Sequence, residues 1–426
     1  MIWLVALLLA LFLVGMPIVF AVGFVSAIYA KFVAEIPLTI IPQQLVSGID
    51  SFVLLAIPLF LLTGGIMSES GITRRLLHFS ESLVGWMRGG LAQVNVLTNV
   101  FMAGISGSGL ADAAATGSAL IPLMKQRGYG VGFAAAVTAA ASCIGPIIPP
   151  SIIMVVIGGL TSASVGRMFL GGVVPGLMLG LAFGLCVHIT SVRRNYPKGE
   201  PVSMRTLARS FLLALPALGL PVIIIAGILS GAFTPTEAAA VACVYTILFG
   251  LISRELRWKA FYRAVVNVGT ATGTIMFIVG VSSVFGWILV SEDIGTRVAD
   301  GLLSITRDPR WMMLLIVACL LVLGCFVEVM ALLILTVPIL MPLVETLGID
   351  PVHFGVVATI ALTTGLITPP FGLCMFMMCS IGNVRIEEFA REIWPFIACI
   401  VVGLLLFIFF PELVVYVPNA IMGPAK

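Results

Sequence analysis

Five stretches of this chain, residues 1–30, 128–166, 210–236, 264–291 and 351–384, contain no Lys, Arg, Asp or Glu. A helix needs about 20 consecutive apolar residues to cross the hydrocarbon core of a bilayer, and every one of these runs is longer. Composition points the same way: of 426 residues 60% are hydrophobic and only 10% charged. Soluble domains carry about 45–50% apolar and about 25% charged residues. A soluble globular enzyme and a disordered chain are both excluded, and a polytopic all-α membrane protein is predicted. The formal charge of +3 is too small for a nucleic-acid reader, so no nucleic acid is expected as a partner. Residues 1–30 lack a basic start and a small-residue cleavage site, and are read as an uncleaved first span. The eight Cys form no CxxC or Cys/His cluster, and are expected to behave as small apolar residues.

The few charges set an orientation. Arg193, Arg194, Lys198, Arg205 and Arg209 crowd one loop, and Arg254, Arg257, Lys259 and Arg263 another. By the positive-inside rule both are cytoplasmic. The two apolar stretches between them go out and return, so 231–237 is a periplasmic turn. Arg74, Arg75 and Arg88 place 69–88 inside, as Lys125 and Arg127 place 125–127. The 36 residues between, 89–124, therefore enter and leave on one side. Two arms of about 16 residues reach roughly 24 Å, short of the ~30 Å core. A re-entrant hairpin with its tip at Gly104–Gly109 is predicted, with two short full spans as the alternative. The N-terminus is expected in the cytoplasm and the C-terminus in the periplasm.

Self-comparison exposes a repeat. Gly145-Pro-Ile-Ile-Pro-Pro150 returns as Gly365-Leu-Ile-Thr-Pro-Pro370, offset by 220. At that offset Ile121-Pro122-Leu123 meets Met341-Pro342-Leu343, Gly128 meets Gly348, and Gly104 meets Gly324. Matched loops carry opposite charge: Lys125 and Arg127 face Glu345 and Asp350, and segment 69–88 sums to +1 where 292–310 sums to −1. Inverted internal symmetry is the signature of a secondary transporter. The first inverted repeat is placed at 1–192, with hairpin 89–124 and broken helix 131–165. A cytoplasmic loop and linking helix, 193–231, follows. The second repeat, 232–426, has hairpin 311–344, its tip near Gly324–Glu328, and broken helix 352–384. The breaks are inferred from paired prolines flanked by glycine. Proline removes a donor and bars the i−4 carbonyl bond, and irregular backbone at membrane depth is tolerated where it lines a cavity.

A broken helix exposes carbonyls at one half-helix end and N–H groups at the other. Carbonyls and hydroxyls suit a hard cation such as Na⁺, and N–H ends suit a carboxylate. Ser106 and Ser108 supply hydroxyls at the first tip, and Thr368 at the second break. Asp112 and Glu328 are the ionisable residues at membrane depth, where such groups are functional by default. Each is open to three roles: cation ligand, proton carrier or helix cap. His188 and His353 are read as interfacial. No Walker A, zinc or GxSxG motif is present, so an ion gradient rather than ATP is the expected energy source, and no enzymatic activity is expected. Arg254–Val266, with Trp258, Phe261, Tyr262 and Val265 at helical spacing, reads as an amphipathic helix along the cytoplasmic surface. Its repeat partner is Ile36–Asp50, and both are pictured as arms carrying a mobile unit on a fixed scaffold.

With these residues in place the chain resembles the large membrane subunit of tripartite ATP-independent periplasmic (TRAP) transporters, the DctM family. The similarity covers essentially the whole length. It is carried by Ser51–Phe60, Gly107–Ala115, Ile144–Ser151, Thr234–Ala240 and Ile367–Gly372. The resemblance implies an elevator-type, Na⁺-driven importer of organic acids in the bacterial inner membrane. It also implies two partners: a periplasmic substrate-binding protein and a small four-helix membrane subunit, here expected as a separate chain. Carried over, one sodium site uses Ser106, Gly145 and Ile148, and the other Gly324, Gly365, Thr368 and Phe371. Substrate contacts are expected at Ser108, Asp112, Pro150, Ser151 and Pro370. The competing readings are a stand-alone ion-coupled carboxylate carrier, a channel-like subunit and, more distantly, a membrane enzyme.

Overall fold

The computed structural model describes residues 14–161 and 163–424, together with Leu7, Ala10 and Leu11. Within them the chain folds into α-helices with no sheet, apart from a single bridge between Arg88 and Lys198. In order these are α1 (Ile18–Phe32), α2 (Ile40–Ile49), α3 (Ala56–Glu69), α4 (Ile72–Val84), α5 (Gly90–Ser106), α6 (Gly109–Gln126), α7 (Val131–Ser142), α8 (Ile152–Thr161) and α9 (Val165–Arg193). There follow α10 (Met204–Leu229), α11 (Pro235–Ile252), α12 (Trp258–Ser291), α13 (Ile294–Leu303), α14 (Pro309–Gly324), α15 (Val329–Thr346), α16 (Pro351–Thr364), α17 (Leu373–Gly382), α18 (Ile386–Phe409) and α19 (Glu412–Met422). Seven segments among the described residues are long and apolar enough to cross a membrane: Phe52–Glu69, α9, α10, α11, α12, α15 and α18.

Local chemistry explains where these helices stop. Helices α5 and α6 are joined by Gly107 and Ser108 alone, and each rises about 26 Å. Gly107 sits at φ +61°, and a side chain there would strike the Pro150 carbonyl. Glycine therefore serves both the turn and the contact. Ser108 caps α6 by accepting a hydrogen bond from the Ala111 N–H at 3.4 Å. The second hairpin, α14 and α15, turns through Cys325–Glu328, and Glu328 Oε2 accepts from the Ala331 N–H at 3.0 Å. Ser108 and Glu328 stand 220 residues apart and cap equivalent helices. Between α7 and α8, and again between α16 and α17, the chain leaves helical geometry around the Pro-Pro pairs.

The halves interlock. Helix α17, from the second broken segment, packs on α6 and α7 of the first half, and α8 packs on α15 of the second. Helix α12 lies across α1, α2 and α3, with α11 beside α3 and α10 beside α4 and α11. The loops read as cytoplasmic meet at one end. Arg75 pairs with Glu255 at 2.8 Å, Arg194 with Glu392 at 2.9 Å, and Arg88 donates to Asn195 at 3.3 Å. At the opposite end Thr236 donates to the Phe52 carbonyl at 2.9 Å and Arg167 to the Gly423 carbonyl at 2.6 Å.

Three expectations are revised. The amphipathic stretch Arg254–Val266 is not a separate surface helix: α12 runs unbroken over 34 residues, about 51 Å. No proline interrupts it, and Ala260 and Ala264 face the protein while Trp258 and Tyr262 point outward. Its counterpart in the first half is broken at Asp50–Ser51, where Ser51 is extended and Pro58 follows at the start of α3. The first span is interrupted at Gly15, at φ +85°, and Pro17, before α1 begins. Most residues before Val14 lie outside the described part. His353 is buried rather than interfacial, its Nε2 2.9 Å from the Phe407 carbonyl oxygen.

Candidate functional site

The first hairpin tip and the first helix break meet inside the protein. Asp112, in the first turn of α6, is fully buried. Its Oδ1 accepts a hydrogen bond from Ser106 Oγ at 2.6 Å, and Oδ2 has no partner among the described residues. The capping role open to Asp112 therefore falls to Ser108. Gly145 lies directly against Oδ2, and the Ser142 carbonyl and Gly109 N–H flank the same spot. A buried carboxylate with an oxygen left bare costs several kcal/mol unless a cation or proton satisfies it. Ser106 Oγ, Asp112 and the Ser142 carbonyl form an all-oxygen cluster, the donor set a hard cation takes. Among the described residues no three His, Cys, Asp or Glu side chains gather as a transition-metal site would require.

The second tip and break meet differently. Gly365 packs on the Gly324 carbonyl so closely that a methyl group would overlap it. Thr368 Oγ1 donates to the Thr364 carbonyl at 2.7 Å and keeps lone pairs free to accept. Phe371 and Pro370 are exposed, and the Phe371 ring lies 6.2 Å from that of Phe326. At the repeat offset Ser106 becomes Phe326 and Asp112 becomes Leu332. The second cluster thus holds hydroxyl and carbonyl oxygens without a carboxylate.

Between the tips lies a cavity of about 480 Å³. Gly107 to Leu110 form one wall and Glu328 to Ala331 another, and Pro146, Ile152, Ile153 and α12 residues between Ala271 and Ile278 contribute to the rest. Three helices, α6, α8 and α15, begin at this cavity, so their free N–H groups and positive dipole ends converge on it. Glu328 occupies the start of α15 with its own carboxylate, and Ser151 caps α8 through the Met154 N–H at 3.2 Å. Gly109 and Leu110 at the start of α6 have no acceptor among the described residues. Of the residues expected to touch substrate, Ser108 lines the cavity. Asp112, Pro150 and Ser151 are buried beneath it, and Pro370 is exposed at the second break. Ile148 is half-buried in the first break.

Sequence reasoning did not find a buried polar spine behind Asp112. Asn95 donates to Thr138 Oγ1 at 2.6 Å, Asn99 donates to Asn95 Oδ1 at 3.0 Å and to Thr116 Oγ1 at 3.3 Å, and Thr116 donates to the Asp112 carbonyl at 2.7 Å. The one sign of it in the sequence is that Asn95, Asn99 and Thr138 have the less polar counterparts Leu315, Cys319 and Ala358 at the repeat offset.

This architecture is that of solved membrane transporters. MtrF of Neisseria gonorrhoeae, described among a class of antimetabolite efflux pumps, superposes with a TM-score of 0.60 at 17% identity over 88% of this chain and 85% of that one. The YdaH transporter of Alcanivorax borkumensis gives 0.60 at 15% identity, over 87% and 88%. Sequence narrows the class. The description "Tripartite ATP-independent periplasmic transporter, DctM component" matches residues 5–413, and the chain belongs to that family. The sialic acid TRAP transporter large permease SiaM of Vibrio cholerae is 37% identical over 97% of both chains. The C4-dicarboxylate large permease DctM of Pseudomonas aeruginosa is 39% identical over 87% of both. The isethionate permease DctMQ of Oleidesulfovibrio alaskensis is 38% identical over 95% of this chain, which spans 64% of that longer protein.

Proposed function

We propose that this chain is the transport subunit of a sodium-driven tripartite importer of small organic acids in a bacterial inner membrane. The observation that carries the reading is the bare Asp112 oxygen, buried among Ser106, Ser142 and Gly145 directly behind a cavity into which three helix N-termini point. A cation at the oxygen cluster balances the carboxylate, and its binding fixes the Gly107–Ser108 tip, where the Ser108 N–H donates to Ser106 Oγ at 3.2 Å. The acid's carboxylate then takes the start of α6, because Glu328 already places negative charge at the start of α15. Ser106, Asp112, Gly145 and Ile148 hold the first sodium in this reading, and Gly324, Gly365, Thr368 and Phe371 the second. Asp112 thus serves the cation rather than the substrate.

Relatives named for sialic acid, C4-dicarboxylates and isethionate share an anionic headgroup, which supports an acid as cargo. Substrate arrives from a periplasmic binding protein, and a small four-helix membrane subunit completes the assembly. The interlocked hairpins and broken helices move as one unit against α2, α3, α11 and α12, an elevator motion with re-entrant hairpins at its core. The N-terminus lies in the cytoplasm and the C-terminus in the periplasm.

The test is reconstitution with and without partners. Proteoliposomes holding this chain and its small subunit should accumulate a labelled sialic acid or C4-dicarboxylate only when a matching binding protein is supplied. Robust uptake by this chain alone would make it a stand-alone carrier.

A further inference from the structure

A second cavity, of about 710 Å³, opens at the end that carries the basic loops, between α4, the start of α5, the α6–α7 turn and the segment entering α10. Its walls carry three cations, Arg127, Lys198 and Arg209, and two carboxylates, Glu81 and Glu200. Among the described residues none of the three cations pairs with a carboxylate, although both carboxylates line the same space. Glu81 has only a 3.8 Å contact with His78. Backbone holds the groups apart: the Gly89 N–H donates to the Pro197 carbonyl at 3.1 Å, and Gly199 is seated on the Gly85 carbonyl. Charges of both signs are therefore presented to the cavity instead of neutralising one another.

One flank of the cavity is apolar. Leu213 lines it and is half exposed, and Leu212 next to it on α10 is exposed as well. A polar chamber thus opens beside exposed leucines of α10 in a chain that spans a membrane. We propose that this chamber binds the headgroup of a phospholipid bearing a primary ammonium, its acyl chains lying along α10. The phosphate diester accepts charge-assisted hydrogen bonds from Arg127, Lys198 and Arg209, and the ammonium donates to Glu81 and Glu200. Free phosphate would use the cations and leave the carboxylates and the α10 face idle. A choline headgroup has no N–H to donate.

The experiment measures bound lipid and thermal stability of the detergent-purified transporter, with phosphatidylethanolamine, phosphatidylcholine or inorganic phosphate added after delipidation. Phosphatidylethanolamine should raise the unfolding temperature and be retained at least fivefold over phosphatidylcholine. The double variant R127Q/R209Q should lose retention of both lipids, while E81Q/E200Q should keep lipid but lose the preference between headgroups. The second variant removes charge without touching the phosphate contacts, so the proposal stays testable if the first folds poorly. Equal retention of the two lipids by the unmodified protein, or stabilisation by inorganic phosphate as large as that by lipid, would overturn the assignment.

Discussion

Asp112 and Leu332 occupy equivalent places in the two halves, and the difference between them separates the two proposed cation sites. Replacing Asp112 by Asn keeps the size and the Ser106 contact but removes the charge. The sodium concentration for half-maximal uptake should rise at least tenfold, a loss of about 1.4 kcal/mol. An unchanged sodium titration would detach Asp112 from the cation. Thr368→Ala removes the one hydroxyl of the second cluster carried over from the family, and should likewise raise the sodium requirement, by a smaller factor. Gly365→Ala would drive a methyl group into the Gly324 carbonyl. A cost of about 1–3 kcal/mol, typical of overpacking, should appear as a lower unfolding temperature in detergent. The residues of the tips and breaks were readable because Gly, Pro and Ser cluster in the sequence. The role of Asp112 was not, since an acid in the first turn suits a cap, a cation ligand or a proton carrier alike, and the Ser108 contact removes only the first of these. Asn95, Asn99, Thr116 and Thr138 read as scattered polar residues until three helices bring them together.

Among the elements, the breaks were legible because proline acts locally, through the donor it lacks. The continuity of α12 was not, because charge pattern alone marks a surface stretch and says nothing about whether the backbone stops. At the start of α11, Thr234 and Glu237 form a reciprocal capping box, with Glu237 Oε2 accepting from the Thr234 N–H at 2.7 Å. The Thr234 hydroxyl also meets Oε2, at 2.8 Å. Hydrogen exchange at the start of α11 should quicken in Glu237→Ala, which loses the carboxylate half of the box. Ser108→Ala should cost about 1 kcal/mol through the lost cap, read as a lower unfolding temperature.

At the scale of the molecule, sparse charges foretold which loops share an end, and Arg75–Glu255 and Arg194–Glu392 lie at one end together. Which side of the membrane that end faces is open to direct test. A thiol at exposed Ala232 (Ala232→Cys) should react with an impermeant maleimide in intact spheroplasts, and one at Pro201 (Pro201→Cys) only after permeabilisation. The reverse pattern would invert the topology. The interlocking of α8 with α15 and α17 with α6 was beyond the sequence, because a repeat offset gives equivalence and not contact. In the proposed mechanism a sodium ion satisfied by the Asp112 cluster drives acid uptake through the neighbouring cavity. Its most direct measurement is labelled-acid uptake into proteoliposomes of the assembled transporter under an imposed inward sodium gradient, with a potassium gradient of equal size as control. Accumulation should occur with sodium alone and collapse in Asp112→Asn at the same sodium concentration. Equal accumulation under potassium, or undiminished uptake by the variant, would contradict it.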